Sequence, residues 1–210
     1  MKLVGILQIK SYDKIKEFLQ EEHVGRIASI DTNGFPQIIP MNFVFLNDAI
    51  YMHSHVKGEK LDNISQNNKV GFEVDRELEF LPSYFSDPHD ASLADTLYIS
   101  VVIKGLASFV SNRDEKTLAL NGLMEKYQPE GHYDPLTSDM QVLDAVSVIK
   151  VVPQTLRGKY KIGQNMNHED RMDLAQKILK RNSPSAKHTL KVMGFEISDD
   201  GLKMVDEPVW

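Results

Sequence analysis

The stretch Val24-Gly25-Arg26-Ile27-Ala28-Ser29-Ile30-Asp31-Thr32-Asn33-Gly34-Phe35-Pro36-Gln37-Ile38-Ile39-Pro40 decides the fold. Two strand-forming runs, Val24 to Ile30 and Gln37 to Leu46, flank Asp31-Thr32-Asn33-Gly34, where Asn-Gly supplies the positive φ angles of a tight hairpin turn. The chain is therefore antiparallel from its first long strands. Upstream, Tyr12, Ile15, Phe18 and Leu19 share one face of a helix over Asp13 to Glu21, with Ser11 as its N-cap. Downstream, Asn47-Asp48 turns the chain into a third strand, Ala49 to Ser54, and a short helix follows from Gly58 to Gln66. Val70, Phe72 and Val74 then alternate with Gly71, Glu73 and Asp75 as a half-buried strand requires.

The remainder extends this pattern. Leu81 to Thr96, with Pro82 and Pro88, reads as a long loop before a strand over Leu97 to Val110. Glu115 to Tyr127 is helical, and Asp144 to Val152 is a strand that continues past Pro153 towards Ile162, the proline marking an edge or a bulge. Asn167 caps a helix over His168 to Lys180, Ser183-Pro184 breaks it, and a second short helix ends at Met193-Gly194 before a tail that finishes at Trp210. Five or six short strands with inserted helices predict a small antiparallel β-barrel rather than βαβ units. Neither GxGxxG nor a Walker motif occurs, so a nucleotide-type cofactor must be held in another way.

Composition narrows the chemistry. The 210 residues carry 24 basic and 30 acidic side chains, a formal net charge of −6, which argues against the broad basic footprint of nucleic-acid binding but leaves room for one local anion site. At 41% hydrophobic and 26% charged the chain has ordinary globular composition. No window approaches the ~18 to 20 apolar residues of a membrane helix, and Met1 to Lys10 lacks a signal-peptide pattern. A cytoplasmic protein without membrane partners is expected. The absence of cysteine removes disulfides, thiolate nucleophiles and cysteine metal sites.

Chemistry concentrates in Tyr51-Met52-His53-Ser54-His55-Val56-Lys57-Gly58-Glu59-Lys60-Leu61-Asp62-Asn63-Ile64. A strand end, a glycine and two lysines stand at a helix start, where free N–H groups and the helix dipole attract a phosphate. Lys57 and Lys60 are three apart and can both reach it, Gly58 permits close backbone approach and Ser54 adds a hydroxyl. The competing account of the lysines is plain solvation. His53 and His55 project to one face of a strand, a spacing metals use, but no carboxylate stands at a suitable interval, so no metal site is expected.

From Gly25 to Asp134 the chain resembles the pyridoxamine-5′-phosphate-oxidase-like, FMN-binding split-barrel superfamily, and within it the 5-nitroimidazole-reductase (Nim) branch. The resemblance rests on ordered pieces: Gly25-Arg26-Ile27-Ala28-Ser29, Asn33-Gly34-Phe35-Pro36 and Ile39-Pro40-Met41-Asn42-Phe43-Val44, then Ile50 to Ser54 with Gly58 to Ile64. Asn67 to Asp75, Tyr98 to Gly105, Glu115-Lys116 and Lys126-Tyr127-Gln128 continue it in register. Gly158-Lys159-Tyr160-Lys161-Ile162-Gly163-Gln164-Asn165 with Glu169-Asp170 is similar instead to the end of PaiB-type proteins, regulators built on the same barrel.

The resemblance implies a mainly β protein with helices (α+β): a six-stranded antiparallel split β-barrel with peripheral and C-terminal helices. Residues 1–163 would form the FMN-binding domain, and residues 164–210 a helical extension and tail packed on it. It further implies a homodimer with FMN in clefts at the subunit interface. Pro40, Met41 and Asn42 would line the flavin ring, Lys60 would hold the phosphate with Ser54, Lys57 and Gly58, and Ser100 would face the cofactor. His53, at a position near the flavin in the Nim branch, becomes the candidate catalytic proton donor, against a packed strand histidine as the alternative. Tyr51 and Tyr98 are read as core, and Arg26 as a cross-strand ion pair or a partner contact.

Ile39 stands where the oxidase has a phosphate-binding arginine, and that family's C-terminal arginine and histidine pattern is absent, which argues against pyridoxamine-phosphate oxidation. The leading function is an FMN-dependent oxidoreductase that reduces a small (nitro)aromatic or similar acceptor, with NAD(P)H as candidate electron donor. An FMN-binding regulator or sensor of PaiB type without turnover is the alternative, and haem binding through a histidine is a third.

Overall fold

In the computed structural model, which describes residues 5–199 and 201–207, a two-residue strand β1 (Gln8–Ile9) precedes helix α1 (Tyr12–Glu21). Burial of Ile15, Phe18 and Leu19 is the inward face expected from their spacing. The hairpin then forms between β2 (Val24–Ile30) and β3 (Pro36–Asn42), antiparallel from Val24 opposite Asn42 to Ile30 opposite Pro36. Gly34 takes a φ of 87°, and the Asp31 carboxylate accepts the N–H groups of Asn33 and Phe35, both at 2.8 Å.

The expected strand over Gln37 to Leu46 is interrupted at Phe43, and β4 (Val44–Leu46) is separate. The cause is local. The Phe43 N–H donates to the Tyr127 hydroxyl at 2.9 Å, and that hydroxyl in turn donates to the His23 carbonyl. Phe43 is fully buried, edge-on to Phe72 with ring centroids 5.1 Å apart. Space beside Phe72 is tight, since a Cβ on Gly25 would lie 2.1 Å from the Phe72 ring, so glycine is required at the start of β2 by close approach.

After β5 (Ala49–His55) and α2 (Glu59–Gln66) come three long strands and a helix: β6 (Lys69–Leu81), β7 (Asp95–Phe109), α3 (Arg113–Tyr127) and β8 (Val146–Lys161). The segment between β6 and β7 contains only two short 3-10 turns, consistent with its reading as a loop. Asn112 caps α3 through its side chain. Pro153 does not end β8: β5 pairs with Val146 to Val151 only, so the missing N–H falls where β8 has left that neighbour. Helices α4 (His168–Arg181) and α5 (Ala186–Val192) follow, the first capped by Asn167 as expected, and then a hairpin of β9 (Phe195–Ser198) and β10 (Gly201–Met204). The hairpin lies in the segment expected to be an irregular tail, and Trp210 lies outside the described residues.

Hydrogen bonding orders the strands β3-β2-β6-β7-β8-β5-β4, with β1 added on β8. The fold is a mainly β split barrel with helices, but its sheet has eight strands rather than six. The two extra strands are the short β1 and the piece of the second run that Phe43 cuts off.

The chain groups into two compact units that are discontinuous in sequence. One comprises Asp13–Val74 and Val101–Arg157; the other comprises the residues up to Tyr12, Asp75–Ser100 and those from Gly158 on. The first unit has a core of Val44, Ala49, Tyr51, Leu120, Leu123 and Val148. Tyr51 is core, as expected, and its hydroxyl donates to Glu115 at 2.8 Å while Lys150 bonds the same oxygen at 2.7 Å. Burial, and secondarily the Glu115 carboxylate, raise the Tyr51 pKa, while Lys150 and the Tyr51 hydroxyl lower that of Glu115.

The second unit is organised by a buried carboxylate. Glu79, 1% exposed, accepts from Arg181 at 2.9 Å and from the Ser183 and Ser185 hydroxyls at 2.5 and 2.6 Å. Nearby, Thr189 donates to the Leu78 carbonyl at 2.8 Å. Buried Arg171 holds Glu207 at 2.9 Å, which ties the segment after β10 to α4. Among the described residues no helix is long and apolar enough to cross a membrane.

Candidate functional site

The last residues of β5 and the first turn of α2 enclose a cleft of about 340 Å³ in the first unit. Ser54, His55, Lys57, Gly58 and Lys60 line it together with Gln37 and Ile39 of β3 and Glu59. Four of the sequence-predicted site residues, Ser54, Lys57, Gly58 and Lys60, therefore meet at one place.

Gly58 makes the turn possible. Its φ of 146° and ψ of 156° lie in a region that is essentially glycine-only, and its carbonyl accepts the N–H groups of Leu61 and Asp62 at 2.9 and 3.3 Å. The first-turn N–H groups of α2 have no intrahelical acceptor and carry the positive end of the helix dipole.

Lys60 is the most informative side chain. It is half-buried, and its Nζ donates to the thioether sulfur of Met41 at 3.2 Å. Burial lowers its pKa below the ordinary lysine value. A thioether is a weak acceptor and brings no compensating charge, so this ammonium is one that an anion would stabilise. Lys57 is exposed, and its backbone N–H donates to His55 Nδ1 at 3.2 Å. Glu59 reduces the local balance from two positive charges to one, a cost that inspection of the lysines alone overlooks. The Ser54 hydroxyl donates to the His55 carbonyl at 2.9 Å and must rotate before it can donate to a ligand.

The other candidates are distributed by the pleat. Along β3 exposure alternates: Gln37, Ile39 and Met41 are half-buried, whereas Pro40 and Asn42 are exposed on the opposite face. Of the triplet Pro40-Met41-Asn42, Met41 shares the strand face of the cleft-lining Gln37 and Ile39, and none of the three lines the cleft itself. Gln37 and Ile39 were absent from the sequence-predicted set, although counting back by twos from Met41 picks them out. His53 is exposed on β5 opposite Val148 and does not line the cleft. Ser100 is half-buried on β7 in the second unit. Arg26 pairs with Glu73 across β2 and β6 at 3.0 Å, the ion-pair alternative weighed for it. Tyr98 is half-buried, with Lys159 Nζ 5.1 Å from its ring centroid. Among the described residues no group of three or more His, Cys, Asp or Glu side chains could hold a metal ion.

A family model described as pyridoxamine 5′-phosphate oxidase matches residues 11–160. Among solved structures, a candidate 5-nitroimidazole antibiotic resistance protein from Bacteroides thetaiotaomicron is similar at 23% identity with a TM-score of 0.62, covering 73% of this chain and 86% of that one. The flavocytochrome Anf3 from Azotobacter vinelandii matches at 16% identity and a TM-score of 0.66, over 82% of this chain and 77% of its own. An FAD and heme binding protein from Mycobacterium smegmatis gives 15% identity and 0.63, over 80% and 79%. At such identities the likeness establishes the fold alone. A search of curated proteins gives no match.

Proposed function

The chain belongs to the pyridoxamine 5′-phosphate oxidase family, and from that premise we propose that it binds FMN and acts as an oxidoreductase on a small (nitro)aromatic or similar acceptor. The observation that carries the proposal is Lys60: a half-buried ammonium with a thioether for a partner, at a helix start, beside Lys57 and a glycine that opens the backbone. This is the donor set a phosphomonoester requires. The flavin-binding neighbours of known structure, one named for FAD and heme and one for its flavocytochrome nature, support a flavin as the group that bears the phosphate.

Lys60 and Lys57 hold the phosphate in this reading, with the first-turn N–H groups of α2 and, after rotation, the Ser54 hydroxyl. Met41 backs Lys60, its sulfur 3.2 Å from the ammonium. The bound flavin supplies the redox chemistry, taking electrons from a donor such as NAD(P)H and passing them to the acceptor. His53 stands on an exposed strand end where it can hand a proton to an acceptor. A second copy of the chain is assigned to the open face of β2 and β3, where Ile38 is 62% exposed and Val24 and Ile30, on the same face of the hairpin, are also uncovered. Sedimentation of the purified protein as a monomer removes that part of the reading.

The absorption spectrum tests the centre of the proposal. The purified or FMN-reconstituted protein is expected to show flavin bands that bleach on anaerobic addition of NADH or NADPH and return with a nitroaromatic. A protein that cannot be loaded with FMN refutes flavin binding. A bound flavin that never turns over favours the PaiB-type sensor, and a Soret band on haem addition favours a haem protein.

Binding also carries a pH signature. Lys60 is fully protonated below its lowered pKa, so FMN affinity is expected to be maximal there and to fall as pH rises through that value. An acid limb follows from the phosphate, whose second ionisation lies near pH ~6. Titration by flavin fluorescence reads both limbs. Lys60→Arg should move only the alkaline limb upward, and an unmoved limb would mean that another group controls it.

A further inference from the structure

The contact between Met41 and Lys60 places an oxidisable sulfur on the cation that the phosphate needs. Met41 Sδ lies 3.2 Å from Lys60 Nζ. Of the methionines in the chain, Met52 and Met193 are fully buried, whereas Met41 is half-buried on β3, the strand at one end of the sheet order, on the strand face it shares with the cleft-lining Gln37 and Ile39. We propose that Met41 is a peroxide-sensitive modification site whose sulfoxide captures Lys60 and weakens the cleft's hold on the flavin phosphate. The proposal rests on the reading of Lys60 as a phosphate ligand.

The chemistry is a two-electron oxygen transfer. The Met41 sulfur donates an electron pair to one oxygen of hydrogen peroxide, an S–O bond forms and the O–O bond breaks. The departing oxygen leaves as water once a proton reaches it, so thioether and peroxide become sulfoxide and water. Sulfur is oxidised by two electrons and peroxide is reduced by two. Lys60 is positioned to supply the proton to the departing oxygen and to recover one from the oxygen newly bonded to sulfur, and its reduced basicity favours the donation. The oxidant is hydrogen peroxide, which a reduced flavin generates when it meets dioxygen.

The consequence follows from acceptor strength. A thioether holds an ammonium weakly, whereas a sulfoxide oxygen is a strongly polar acceptor on a longer reach. Lys60 would then leave its new partner only at a cost, and the phosphate would bind correspondingly less well. A phosphate that engages Lys60 also withdraws the proton relay from the sulfur, so a bound flavin slows the oxidation of Met41.

The experiment exposes the full-length protein to hydrogen peroxide with and without FMN. Peptide mass spectrometry follows oxygen addition at Met41, with Met166, 38% exposed, as an internal reference. Met41 sulfoxide is expected in the flavin-free protein, its formation slowed by bound FMN. The oxidised protein should bind FMN about tenfold more weakly, the loss of one charge-assisted contact, and methionine sulfoxide reductase should restore binding. In Met41→Leu, FMN affinity, whatever its starting value, should no longer respond to peroxide.

The proposal is overturned if Met41 stays unoxidised while Met166 is converted, if its sulfoxide leaves FMN affinity unchanged, or if Met41→Leu remains peroxide-sensitive. Should the untreated protein bind no FMN, the flavin reading fails separately. Inorganic phosphate then takes the place of FMN: protection of Met41 by phosphate supports the coupling and its absence overturns it.

Discussion

Lys60→Ala is expected to weaken FMN binding by about 10- to 100-fold, the range for removing a hydrogen bond to a charged group. The fall should be larger than for Lys57→Ala, because Lys57 is exposed and its contribution is screened, whereas Lys60 is half-buried in a cleft. The substitution should not harm the fold. Removing a partly desolvated ammonium whose acceptor is a thioether relieves a burial cost, so thermal stability without flavin should hold or rise slightly. Equilibrium titration with FMN, paired with thermal unfolding of the flavin-free protein, separates the two effects. Unchanged affinity would place the phosphate elsewhere.

The second large effect lies in the other unit. Arg181→Ala leaves the Glu79 carboxylate buried with the Ser183 and Ser185 hydroxyls alone, and the uncompensated charge should cost roughly 2 to 4 kcal/mol. For a chain of this length that corresponds to a drop in Tm of roughly 5–15 °C. Adding Glu79→Gln to Arg181→Ala should recover much of the loss, because a neutral amide oxygen can still accept from either hydroxyl. Calorimetry of the single and double variants gives the coupling directly. A single variant within ~0.5 kcal/mol of the parent, the range of ordinary surface substitutions, would show that the two serines suffice.

The elements were legible where local chemistry decides them. Asn33-Gly34 specified its hairpin, Asn167 its cap, and the alternation around Phe72 its strand, because turn angles, capping oxygens and the pleat act over a few residues. What was missed depends on distant partners. The break at Phe43 exists because Tyr127, 84 residues away, takes its N–H, and β1 is a strand only because β8 pairs with it. The β9–β10 hairpin closes at Gly201, φ 111°, in a tail with little periodicity to announce it.

The site divides in the same way. Ser54 to Lys60 were readable because strand end, glycine and helix start are contiguous. The Met41 sulfur against the Lys60 ammonium was not, because it joins two elements through side-chain length, and neither residue type announces the other. Glu59 stood in plain view in the motif, yet its effect on the charge balance emerges only once it lines the same cleft as the lysines.

The Glu79 cluster also sets a schedule for synthesis. Arg181 follows Glu79 by 102 residues, so at ~5–20 residues per second the ribosome delivers the guanidinium roughly 5 to 20 s after the carboxylate it serves. Throughout that interval the end of β6 cannot be buried without stranding a charge, and it must wait in water. The surroundings of Glu79 therefore close only after Arg181, Ser183 and Ser185 have been synthesised.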